Sequence, residues 1–237
     1  GAFNLLSGES QKAEKEFIDA VEVAPEILDS RIILAKYYIR NKRYQDALKT
    51  LNAGLKGNKN DAVLYNIIGA AYLGAGDNEK ARQVFEKAKT SDPKFFMPYF
   101  NIATIYRYKG EKDKAMQEYK SVLDLDSVNI VALLAMANML ESEKKDKEAL
   151  SYYMKAVEQK KPMPYLALAG YYQRKNDTGQ AIKVLQDALL ADPNNMQAKE
   201  MMGLLQAVAK NYKGSIETYQ DLEKTSPEIG MAGIANT

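Results

Sequence analysis

The feature that most constrains this chain is a self-similarity in its own residues. Pro193 and Pro227 mark one step along the sequence, and Pro25 and Pro93 mark two steps of the same size. The step is about 34 residues, a period that belongs to stacked supersecondary units, none of which can bury its apolar face alone. Residues 62–95 carry Tyr65, Ile68, Gly69, Tyr72, Gly76, Ala81, Phe85, Ala88 and Pro93. Residues 96–129 repeat them in step as Tyr99, Ile102, Ala103, Tyr106, Gly110, Ala115, Tyr119 and Val122. The same anchors mark repeats at 28–61, 162–195 and 196–229. Residues 130–161 match at Leu133, Met136, Ala137, Leu140, Ala149, Tyr153 and Ala156 but fall two places short of a full repeat. Met97-Pro98-Tyr99 recurs as Met163-Pro164-Tyr165, two places earlier than two whole periods would put it, so the deficit lies between them. The sequence predicts a shorter second helix or a tighter linker there, with a local change of twist.

Within a repeat, apolar residues recur at spacings of three and four, as a helix with one packed face requires. Gly76 and Gly110 fall where one helix hands over to the next, and Asp92-Pro93 and Asp192-Pro193 close a second helix, because the residue before proline avoids the helical region. The expectation is an all-α chain of antiparallel helix pairs. Residues 1–27 read as a partial repeat, the end of a first helix plus a second helix. Residues 230–237 read as the start of a further repeat or a tail. A chain that opens on Gly1 and shows no polar capping repeat reads as a segment of a longer array, with self-association through its uncapped ends as a consequence.

Composition narrows the chemistry. The chain of 237 residues has neither Cys nor His, which removes disulfides, thiolate and imidazole metal sites and His-dependent acid–base sets. Thirty-three Lys and Arg against 31 Asp and Glu give a net charge of +2, too little field to gather nucleic acid. The longest apolar run, Ile130 to Leu140, already contains Asn138 and falls well short of a membrane span. Gly69, Gly74 and Gly76 are close together but lack the preceding strand and the following Lys of a phosphate loop. The carboxylate pairs Asp124/Asp126 and Glu141/Glu143 fall at solvated helix ends. No catalytic residue, metal or cofactor is expected.

These anchors resemble the tetratricopeptide repeat (TPR), whose signature is an aromatic, a Leu-Gly, a Tyr, an Ala, an aromatic, an Ala and a Pro at fixed places in each repeat. The resemblance implies a right-handed α-solenoid and a non-catalytic scaffold that holds a protein or peptide in a concave groove. In such proteins the groove is lined by places 2, 5, 9 and 12 of the first helix. Here these supply apolar Ile32, Phe100, Leu134 and Leu166, small Ala70, and polar Lys36, Asn66, Thr104, Arg107, Asn138 and Gln173, with Asn101 beside them. An apolar groove with sparse amides suits an amphipathic helix or an extended apolar segment. Tyr108 and Tyr171 stand off the anchor pattern and are expected to meet a partner. Residues 60–115 are also similar to large TPR lipoproteins that accompany bacterial PEP-CTERM and exopolysaccharide systems, which implies a periplasmic or cell-envelope setting. The alternatives are a regulatory segment of a larger enzyme such as a glycosyltransferase, and an RNA-binding helical repeat, which the balanced charge opposes.

Overall fold

A computed structural model describes the backbone of residues 2–237 and the side chains from Lys12 onward; Gly1 lies outside the described residues. Fourteen α-helices and no strand occur among those residues. The chain divides into an N-terminal body ending at Leu125 and a C-terminal body beginning at Asp126. The first holds α1 (Ala2–Val23), α2 (Leu28–Arg40), α3 (Tyr44–Asn52), α4 (Asp61–Gly74), α5 (Asn78–Ser91), α6 (Met97–Tyr108) and α7 (Lys112–Leu125). The second holds α8 (Ile130–Ser142), α9 (Asp146–Val157), α10 (Pro162–Arg174), α11 (Thr178–Ala191), α12 (Met196–Val208), α13 (Tyr212–Glu223) and α14 (Pro227–Ala235). Within each body every helix packs on the helices before and after it. First helices also touch the next first helix, as α2 does α4 and α10 does α12. This is the stacking of a TPR solenoid. No helix among the described residues is long and apolar enough to cross a membrane.

Backbone chemistry sets the helix ends. Asp77, Asn129, Asp177, Asn195 and Asn211 each accept a hydrogen bond from the amide three residues on, satisfying one of the donors a helix start leaves bare. Each hand-over from first to second helix passes through one residue in the left-handed region: Lys42, Gly76, Gly110, Lys144, Asn176 and Lys210. Successive members of this series stand one full period apart, except that Asn176 follows Lys144 two places early, so the backbone itself keeps the period and its one lapse. In the short repeat α9 has 12 residues, as α13 does in a full-length one, against 9 in α3 and 14 in α5, α7 and α11, so helix length alone does not mark the short repeat. The linker after α9 turns through Lys160 at φ 53° and carries no Asp-Pro.

The core is built from one small and one large place per repeat. The small place is Ala35, Gly69, Ala103, Ala137, Ala169 or Gly203, all buried; the large one is Leu51, Phe85, Tyr119, Tyr153, Leu185 or Tyr219, also buried. Burying each such large side chain contributes roughly 1.5–3 kcal/mol. Where no Asp-Pro closes the second helix, Asp61 does a related job: its buried carboxylate accepts the amides of Lys56 and Gly57 and ties down the linker after α3. One expectation is corrected. Residues 2–23 form a single continuous helix, not the end of one helix followed by another. Continuing the hydrogen-bond ladder satisfies backbone groups that a turn would release, unless a folded-back helix packed against it.

Candidate functional site

The face that the first helices turn away from the second helices is the candidate site, and each body is described by its own such face. In the N-terminal body α2, α4 and α6 carry Ile32, Asn66, Ala70, Phe100 and Asn101 half-buried, and Lys36, Thr104, Arg107 and Tyr108 exposed. Tyr108 is 91% exposed at the end of α6. Asn66 and Asn101 do not stand free. Asn101 Nδ2 donates to Asn66 Oδ1 at 2.8 Å, which links α4 to α6 and leaves the remaining amide groups of the pair for other partners. The Thr104 hydroxyl is spent on the Phe100 carbonyl of its own helix, at 2.9 Å. The Phe100 ring leans on Tyr119 with centroids 6.0 Å apart, so one edge packs inward while the other faces out. Val63 and Met97, at the second place of the repeats 62–95 and 96–129, are exposed apolar side chains on the same face.

In the C-terminal body α8 and α10 carry Leu134, Asn138, Leu166 and Gln173. Leu134 is buried, at 8% exposure, and belongs to the core more than to the surface; Leu166 is half-buried and Asn138 and Gln173 are exposed. Val131 and Met163 repeat the exposed apolar place seen at Val63 and Met97. Tyr171 is corrected. It is buried, with its ring 5.2 Å from that of Tyr153 and 5.5 Å from that of Tyr172, and its hydroxyl donates to the Asp146 carbonyl at 3.3 Å. Its place off the anchor pattern puts it between α9 and α10, where an aromatic ring fills the interface instead of facing a partner.

A polar cluster on this face has no simple sequence signature. The Tyr153 hydroxyl lies 2.6 Å from Asn138 Oδ1 and 2.9 Å from Glu141 Oε2; with one proton it donates to one of them at a time. Arg174 grips the same carboxylate with two donors, at 2.8 and 2.9 Å, and reaches the phenol oxygen at 3.4 Å. Arg174 chiefly holds the Glu141 carboxyl below its ordinary range, and burial followed by the hydrogen bond to Glu141 pushes the Tyr153 phenol up. Neither group is poised to exchange a proton near neutral pH. The cluster fixes side chains; it does not form an acid–base set. The signal that could have located it is that Arg174 stands one place beyond Gln173, the counterpart of Glu141 in the next repeat, which sets opposite charges side by side on α8 and α10.

The comparisons fit this architecture. The tetratricopeptide repeat model matches residues 7–63, 34–95, 98–129 and 166–228. Human Superkiller complex protein 3 is 26% identical over 129 residues, 52% of this chain and 8% of that protein. The wheat (Triticum aestivum) Hsp70-Hsp90 organizing protein is 26% identical over 121 residues, 51% of this chain and 21% of that protein. This chain therefore matches a small part of the length of either relative. Among solved structures, the C-terminal part of a TPR repeat-containing protein from Cytophaga hutchinsonii superposes with a TM-score of 0.61 at 15% identity, covering 98% of this chain and 97% of that one. With its helix pairs, its turn period and these matches, the chain belongs to the tetratricopeptide repeat family.

Proposed function

We propose that this chain is a non-catalytic scaffold that holds a peptide or helical segment of a partner protein along its first-helix faces. The observation that carries the reading is the recurrence of exposed apolar side chains at one place of successive first helices: Val63 and Met97 in one body, Val131 and Met163 in the other. An exposed apolar side chain is ordinary by itself, but its recurrence at one place of neighbouring first helices offers a partner a repeated apolar foothold, and Met adapts its shape to varied partners. The Asn66–Asn101 pair beside Met97 supplies backbone-like donors and acceptors. Relatives named for a Superkiller complex and for an Hsp70-Hsp90 organizing protein support a role in holding assemblies together. The likeness of residues 60–115 to envelope lipoproteins supports a bacterial envelope setting, with exopolysaccharide export assembly as the process served.

Capture from native lysate with the wild-type chain and a Met97→Glu, Met163→Glu double variant tests this. Both side chains are about half exposed, so folding by circular dichroism stays unchanged. The expected result is a partner held by the wild type and reduced at least about tenfold with the variant, since each charge must be desolvated against an apolar surface. A partner held equally by both refutes the assignment of the face.

A further inference from the structure

In the C-terminal body α12, α13 and α14 enclose a cleft of about 380 Å³. Its floor is apolar: Leu204, Tyr219, Ile229 and Ala232. Gly233 makes this floor possible, because a Cβ there would run into the Tyr219 ring and α14 could not settle over it. Leu204 is 52% and Ile229 38% exposed, so the floor is open to solvent.

The rim is formed by Glu200 and Glu228, and no lysine or arginine lines the cleft. Neither carboxylate has a salt bridge or a side-chain hydrogen bond among the described residues, whereas Glu79, Glu111 and Glu141 are each ion-paired. Glu200 occupies the fifth place of α12, where α10 of the same body carries half-buried Leu166, so the face changes from apolar to acidic between them. The Glu200 charge is felt inside: together with burial, which acts more strongly, it pushes the Tyr219 phenol up. Two like charges beside an apolar surface gain most from a ligand with one positive head on an apolar stem, which is the shape of a long basic side chain. The cleft sits at the small end of ligand-sized sites and is too small for a helix roughly 10 Å across.

We propose that this cleft receives a lysine or arginine side chain of the partner segment, so that the segment is basic where it meets α12 and α14. The inference rests on the reading of the first-helix face as the docking surface. The stem would lie on Leu204, Ile229 and the Tyr219 ring, and the head would be shared between Glu200 and Glu228.

The test is methyl NMR of the whole chain, following Ile229 and Leu204 during titration with N-acetyl-arginine methylamide and N-acetyl-lysine methylamide. The uncharged N-acetyl-norleucine methylamide keeps the stem without the head, and spermidine represents a free polyamine. Saturable shifts with the two cationic derivatives are expected, about tenfold weaker for norleucine and about tenfold weaker again in a Glu200→Gln, Glu228→Gln variant whose spectrum stays dispersed. Raising NaCl from about 50 to about 500 mM should also weaken binding. No shift, an equal response to norleucine, or spermidine binding far above both amino-acid derivatives overturns the proposal. The titration needs no partner protein, so it can fail while capture through Met97 and Met163 succeeds, and the reverse; the two readings fall separately.

Discussion

The helix pairs α4–α5 and α8–α9 use the same scaffold for two ends. In the first, Gly69 faces Phe85 so closely that a Cβ would collide with the ring, and Phe85 joins Ala81, Ile102 and Ile105 in a cluster of purely apolar side chains. In the second, Ala137 and Tyr153 occupy the corresponding places, and both are fully buried. The tyrosine ring does the packing that Phe85 does, while its hydroxyl reaches the first-helix face and ties Asn138, Glu141 and Arg174 into one cluster. The repeat therefore demands a large buried side chain at this place and leaves its terminal atom free. One oxygen at a core place is enough to change what the surface above it can present.

That contrast breaks most visibly at the packing end. Phe85→Ala should cost about 3–5 kcal/mol, since it removes a fully buried ring and leaves a cavity that Gly69, with no side chain, cannot fill. Because such arrays are held together by neighbour contacts, the loss should show as a lower urea midpoint and as faster amide exchange in α4, α5 and α6. A cost below about 1 kcal/mol would mean that α6 collapses onto the vacancy, and that volume is less constrained than the comparison holds.

Tyr153→Phe isolates the other end, because it keeps the ring and deletes only the oxygen. The expected cost is about 1–2 kcal/mol, the worth of a hydrogen bond to a charged group in a partly buried setting. Asn138 and Arg174 should become more mobile while the core stays intact, which side-chain NMR can follow. If stability and the Arg174 signals are both unchanged, the cluster is held by Glu141 and Arg174 alone and the tyrosine hydroxyl is incidental.

Much of the fold was legible because the repeat writes it several times over: the three-and-four spacing, the glycines at Gly76 and Gly110 and the Asp-Pro endings each mark the same places. The site was legible only in its register. Side chains read as free groups turned out to be engaged with one another, Asn66 with Asn101 and Asn138 with Tyr153, because contacts between neighbouring helices appear only after stacking. Leu134 and Tyr171 lie deeper than their places along the helix imply, for a related reason. A helix wheel gives direction but not how deeply the next helix presses in, and both are buried. The unbroken α1 shows the reverse case, in which a repeat signature is present but the helix runs on without the turn, with Phe17, Ile18 and Val21 packed on the core.

The hand-over turns offer the smallest and most discriminating test, because the same backbone conformation is met by different residues. Gly76 and Gly110 adopt φ of 84° and 76°, while Lys42, Lys144 and Lys210 adopt 59° to 60° with a side chain attached. Nothing lies within 4 Å of a Cβ placed at Gly76 or Gly110, so a substitution there meets only the conformational penalty of the left-handed region. Gly76→Ala should therefore lose about 1 kcal/mol. Lys144→Gly should gain less than about 1 kcal/mol, because glycine relieves the turn but adds freedom to the unfolded chain. Asn176→Gly should gain least, since asparagine tolerates this region better than lysine. Urea midpoints of the three variants give the order. If all three coincide with the parent, packing on either side dictates the turns, and the glycines there are a habit of the sequence, not a requirement of the fold.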